Sequence, residues 1–94
     1  MSKPNYASKL AGLFNSARSG GETEDLITDL FTPAERRDLW ERWCIVDLLL
    51  QGNSQRDIRD RLGVSISKVT RGSREIQYGT GAFRRVWSVL AKRP

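Results

Sequence analysis

The sequence predicts an all-α fold of six helices, read as a single domain over residues 1–94. Three observations carry that reading. Apolar residues recur at spacings of three and four, with no run of strand-like alternation. Three of the periodic segments open on a capping residue, and most are followed by glycine. One of them is too apolar to be a surface helix, so it must lie at the centre of whatever core the chain builds.

Met1–Asn5 reads as an irregular start. From about Tyr6 the series Tyr6, Leu10, Leu13, Phe14, Ala17 predicts a first helix, ending at Ser19-Gly20-Gly21, which reads as a loop. Glu22 to Leu30 is a second, with acids early, where the helix dipole favours them. Thr32-Pro33-Ala34-Glu35 is the clearest start. Thr32 is the expected N-cap, Pro33 the first helical residue, and Glu35 completes a capping box.

This third helix should run to about Gln51 and stop at Gly52. Its half from Trp43 to Leu50 is apolar everywhere except Asp47. A chain of 94 residues has little protein with which to bury such a helix. The simplest remedy is a second copy of the chain, so the sequence predicts a homodimer with this helix at its centre. A monomer whose first and last helices clasp the third is the rival arrangement.

Next comes a pair of short helices, predicted as a helix-turn-helix over about 54–76. Ser54 caps the first, Ile58 and Leu62 share one face, and Gly63 ends it. Ser65 caps the second, on which Ile66, Val69 and Ile76 are the apolar positions. So short a connection suits two helices that cross steeply. Tyr78-Gly79-Thr80-Gly81 breaks the chain, and Ala82 to about Ala91 forms the last helix, with Phe83, Val86, Trp87 and Leu90 on one side. The dimerisation core is then assigned to about 6–51 and 80–91. Trp40, Trp43 and Trp87 read as core or interface anchors.

Charge separates the parts. Ser54 to Arg74 holds six basic and two acidic residues, whereas Met1 to Asn53 holds six basic and eight acidic. The tail from Ile76 adds four basic residues and no acid to a chain of net charge +5. A basic helix-turn-helix points to double-stranded DNA, whose phosphates it would neutralise with release of counterions. No aromatic residue falls within the pair, which disfavours stacking on single strands. The chain has no histidine and one cysteine, Cys44, so His-based catalysis, intramolecular disulfides and the usual zinc ligand sets are excluded. No apolar run is long enough for a membrane span, and a reducing, cytoplasmic setting is expected.

Several of these residues carry a family resemblance. Phe31-Thr32-Pro33-Ala34-Glu35-Arg36, Arg42, Ile45-Val46, Ser54-Gln55-Arg56, and Ile66 with Val69-Thr70-Arg71-Gly72-Ser73 resemble the bacterial tryptophan repressor family over roughly Asp25 to Leu90. Leu13-Phe14-Asn15, Gly52-Asn53 and Tyr78-Gly79 look more like a sister branch of Trp-repressor-like proteins. The resemblance implies an intertwined homodimer presenting two reading heads to a palindromic operator, about one helical turn apart.

The resemblance also implies roles for individual residues. Gln55, Arg56 and Arg59 would reach the DNA backbone and a base edge; Ile66, Ser67 and Thr70 would face bases, with Lys68, Ser73 and Arg74 near phosphates. Ser67 and Lys68 stand where the best-known repressor has smaller or uncharged side chains, so the operator could differ. The family's effector is L-tryptophan, a corepressor held between two arginines, and the matching positions are Arg42 and Arg71. Carbonyls around Asp29, Phe31 and Thr32 would take the ammonium group, and Glu75 replaces the family's serine beside it.

The implied function is a repressor of tryptophan biosynthesis genes, gated by ligand. If Glu75 instead fills the site and pairs with Arg71, the chain would be an effector-independent DNA-binding regulator, or one using another small molecule. A protein-interaction module, with the third helix docking a foreign partner, is the more distant alternative.

Overall fold

The computed structural model describes residues 3–92, and all secondary structure among them is helical. In order the helices are α1 (Tyr6–Asn15), α2 (Gly20–Leu30), α3 (Pro33–Leu50), α4 (Gln55–Leu62), α5 (Ile66–Tyr78) and α6 (Ala82–Ala91). They fall into two compact units, one reaching to Arg37 and the other beginning at Asp38.

In the first unit α1 is shorter than expected and begins on a cap. Asn5, placed in the irregular start, accepts a hydrogen bond from the Ser8 amide on its Oδ1 at 3.0 Å. Met1 and Ser2 of that start lie outside the described residues. Gly20 and Gly21 are not a loop; they are the first two residues of α2. Ser19 explains the difference, because its Oγ accepts from the Glu22 amide at 3.2 Å and starts the helix. Glu22 in turn takes the Arg18 amide and guanidinium at 3.1 and 3.0 Å. The capping box at the start of α3 is present in full. Glu35 N donates to Thr32 Oγ1 at 3.2 Å, and Thr32 N donates to Glu35 Oε1 at 2.9 Å.

The second unit holds the buried core. Ile45 of α3, Ile58 of α4 and Val69 of α5 meet there, with Leu48, Leu49, Leu62 and Val64 packed around them. Two caps fix how α4 and α5 approach one another. Gly63 ends α4 in the left-handed region, φ 66°, with its amide on the Arg59 carbonyl at 2.9 Å. Two residues later Ser65 Oγ accepts from Lys68 N at 3.3 Å and starts α5. Thr70 then donates to Gln55 Oε1 at 2.9 Å, tying the two helices together. Asn53 closes the preceding corner, donating from both its amide and its Nδ2 to the Leu48 carbonyl, at 3.1 and 3.0 Å.

α6 docks on α3 through its aromatic residues. Trp43 and Phe83 meet edge to face, centroids 6.1 Å apart, and the Trp87 indole N–H donates to Asp47 Oδ1 at 2.9 Å. Asp47, the polar exception in the apolar half of α3, is thus the acceptor that a half-buried indole requires. Trp40 differs from the other two tryptophans in being two-thirds exposed.

Candidate functional site

α3 and α5 enclose a cleft of about 270 Å³. Its apolar floor includes Ile45, Val46 and Phe83; its polar wall carries Arg42 and Glu41 from α3 and Lys68, Arg71 and Glu75 from α5. The volume lies near the lower end of small-molecule sites, suited to a single molecule of amino-acid size.

The cleft depends on Gly72. A Cβ built there would lie 2.9 Å from Ile45 Cγ2 and 3.5 Å from Leu49 Cδ1. Ile45 is buried and β-branched, so its methyl cannot swing aside. Glycine is what lets the α5 backbone come down onto α3. That close approach puts Arg42 and Arg71 into one cavity although 28 residues of chain separate them.

The charged groups around the cleft are not all alike. Lys68 Nζ and Glu41 Oε1 form an ion pair at 2.9 Å between α5 and α3. The hydrogen bond that Lys68 donates to Glu41, and then the charge of Glu41, hold the Lys68 ammonium above its ordinary range, with Asp38 adding and Arg42 subtracting. Arg71 and Glu75, one helical turn apart, form no ion pair with each other among the described residues. Both line the cavity. Cys44, near this wall on α3, has its thiol pushed up by burial, then by the charges of Asp47 and Glu41.

A second, open depression runs along the outer face of α5, lined by Ile66, Ser67, Thr70, Arg71, Arg74 and Glu75, with Tyr78 at its far end. Arg71 and Glu75 belong to both cavities.

The expected site residues therefore divide in four, and Lys68, expected near phosphates, lines the inner cleft instead of the outer face. Arg42, Arg71 and Glu75 share the inner cleft. Ile66, Ser67, Thr70 and Arg74 share the outer face, with Arg56 exposed on α4. Gln55 is engaged by Thr70, Arg59 by the Asp60 carboxylate at 3.0 Å, and Ser73 is half-buried. Asp29, Phe31 and Thr32 lie in the first unit, where the Phe31 carbonyl accepts from Arg36 Nη1 at 2.6 Å. Sequence reasoning missed Gly72 as a packing residue, Glu41 as the partner of Lys68, and Phe83 as cleft floor. A glycine inside an unbroken helical pattern is a sign of close approach that could have revealed the first. Nothing local marks the other two.

Comparison with known proteins decides the family. The model of the family described as Trp repressor protein matches residues 7–90. The chain belongs to the Trp repressor family. It is similar to the Trp operon repressor homolog of Aliivibrio fischeri strain MJ11, 41% identical over 81 residues, covering 85% of this chain and 74% of that protein. The homolog from Vibrio campbellii is 41% identical over 70 residues, covering 73% of this chain and 70% of its own. That from Vibrio cholerae reaches 53% over 55 residues, 57% of this chain and 53% of its own. No solved structure matches the chain. Membership makes this Trp repressor relative a transcription regulator and not an enzyme, in agreement with the sequence reading. No helix among the described residues is long and apolar enough to cross a membrane.

Proposed function

We propose that this Trp repressor family member is a homodimeric, sequence-specific repressor that binds a palindromic operator when L-tryptophan fills the cleft between α3 and α5. The helix pair α4–α5 is the helix-turn-helix, and α5 is the reading helix. Ile66, Ser67 and Thr70 face base edges, while Gln55, Arg56, Arg59, Lys68, Ser73 and Arg74 serve phosphates or, for Arg56, a guanine. In the cleft, Arg42 and Arg71 cover the indole faces, one also pairing with the carboxylate. Glu75 takes the ammonium group.

The observation that carries this reading is the place of Arg71, which lines both the inner cleft and the outer face of α5. A ligand stacked on its guanidinium acts on the same side chain that borders the DNA-facing groove. Such a ligand shifts the molecule towards its DNA-competent arrangement by its preference for that arrangement. The dimer is supported by exposed apolar side chains, among them Leu39, Trp40, Val86, Val89 and Leu90, which a second copy would cover. The regulated genes are proposed to be those of tryptophan biosynthesis.

A second reading has one specific observation in its favour. Glu75 gives the cleft a carboxylate beside its two arginines, so their charge is partly balanced with no ligand bound. The chain would then be an effector-independent regulator.

Thermal melts of the purified protein with L-tryptophan, D-tryptophan and a second L-amino acid separate the two. A ligand that binds only the folded state stabilises it by about 2.7 kcal/mol at a hundredfold excess over Kd. An upward shift selective for L-tryptophan is expected. Identical melts with all ligands would remove tryptophan from the proposal and favour the second reading.

A further inference from the structure

The ion pair between Lys68 and Glu41 has no part in the reading above, and it bears on DNA affinity. Lys68 sits in the first turn of α5, one residue from Ser67 of the outer face, at the helix end whose dipole favours anions. Its position suits a phosphate contact. Its charge, however, is already engaged by a carboxylate of α3 at 2.9 Å. Lys68 remains 56% exposed and Glu41 29%, so the pair is open to solvent and to competition.

We infer that Glu41 restrains the affinity of this protein for the DNA backbone by holding Lys68 in an ion pair across the cleft. The inference rests on α5 being the DNA-reading helix. A phosphate approaching the first turn of α5 must displace the Glu41 carboxylate before it can use the lysine, and displacement leaves Glu41 facing the phosphate. Both effects lower binding to any sequence and leave base-edge contacts untouched. Glu41 therefore tunes the affinity for DNA as a whole and touches no base. It suppresses attachment to the bulk of DNA, against which an operator must compete. An exposed ion pair is weak, which permits displacement at the operator, where further contacts hold the helix in place.

The test is binding of the full chain to a fluorescently labelled duplex of random sequence, followed across a salt series without effector. The proteins are wild type, E41Q, K68Q and the double variant, with helicity checked by circular dichroism. Each phosphate contact adds nearly one to the slope of log affinity against log salt. E41Q is expected to bind several-fold more tightly at low salt, with a slope steeper by up to about one. K68Q is expected to change the slope little in the wild-type background and to abolish the gain in the E41Q background. An E41Q affinity equal to or below wild type, or a gain that survives loss of Lys68, overturns the inference. R56A in the same series keeps the two readings apart. Loss of binding in R56A with no E41Q gain rejects the restraint alone. No DNA binding by the wild type at low salt rejects both.

Discussion

At the residue scale, Gly72 and Arg71 are neighbours with different duties. Gly72→Ala forces a methyl group against Ile45, and overpacking of a filled core costs about 1–3 kcal/mol. It should also push α5 off α3 and distort the cleft. A lower melting temperature is expected, with loss of any ligand-induced shift; wild-type stability in G72A would mean that the two helices do not pack this closely. Arg71→Ala should instead fold normally and lose both ligand response and DNA affinity. Arg18→Ala is the control, since Arg18 pairs with Glu22 at an exposed helix start and should affect neither. Equal losses in both variants would sink the site assignment. Arg71 and Arg42 were singled out through resemblance, and both line the cleft. Gly72 was quoted for the same reason, but its physical role depends on Ile45, 27 positions away.

At the element scale, the helix starts follow local chemistry. Thr32, Ser54 and Ser65 cap the helices that they were expected to cap, because a cap needs only its own side chain and an amide three residues on. The same rule corrects the α1–α2 junction. Ser19 outranks the two glycines that follow it, since a satisfied N-cap with an acid in the first turn sustains a helix that begins on glycine. Glu35 makes one such start sensitive to pH. The backbone amide of Thr32, and next its hydroxyl, hold the Glu35 carboxyl below its ordinary range. A carboxylate so lowered in the folded state contributes stability above the ordinary glutamate range, lost as pH falls through the lowered value. Acid titration of E35Q should therefore show a smaller loss of stability across that window than wild type. Parallel titration curves would mean that the capping box contributes nothing.

At the scale of the whole molecule, burial is too sparse for a chain that stands alone. Among the described residues four hydrophobic ones are buried, Ile45, Val46, Ile58 and Val69, while thirteen large ones remain exposed, Trp40 at 66%. The sequence placed the shortage in the apolar half of α3, Trp43 to Leu50, but that half is buried or half-buried within the chain, and the exposed apolar side chains lie instead at Leu39 and Trp40 and along α6 and α1. A homodimer is the expected remedy. Sedimentation should give twice the chain mass, and the melting temperature should rise with protein concentration, as it does when folding and association are linked. A monomeric species with a melt independent of concentration would refute this.

The sequence by itself determined the six helices, most of their limits, the basic character of the α4–α5 pair and, through resemblance, the arginines of the cleft. These rest on signals local to a few residues or on motifs preserved as strings. Tertiary structure alone decided that Lys68 meets Glu41, that Asp47 answers the Trp87 indole, and that Arg71 borders two cavities at once. Those pairings arise when α5 and α6 close onto α3, and a helix pattern records which face is apolar but not which side chain waits on the helix it meets.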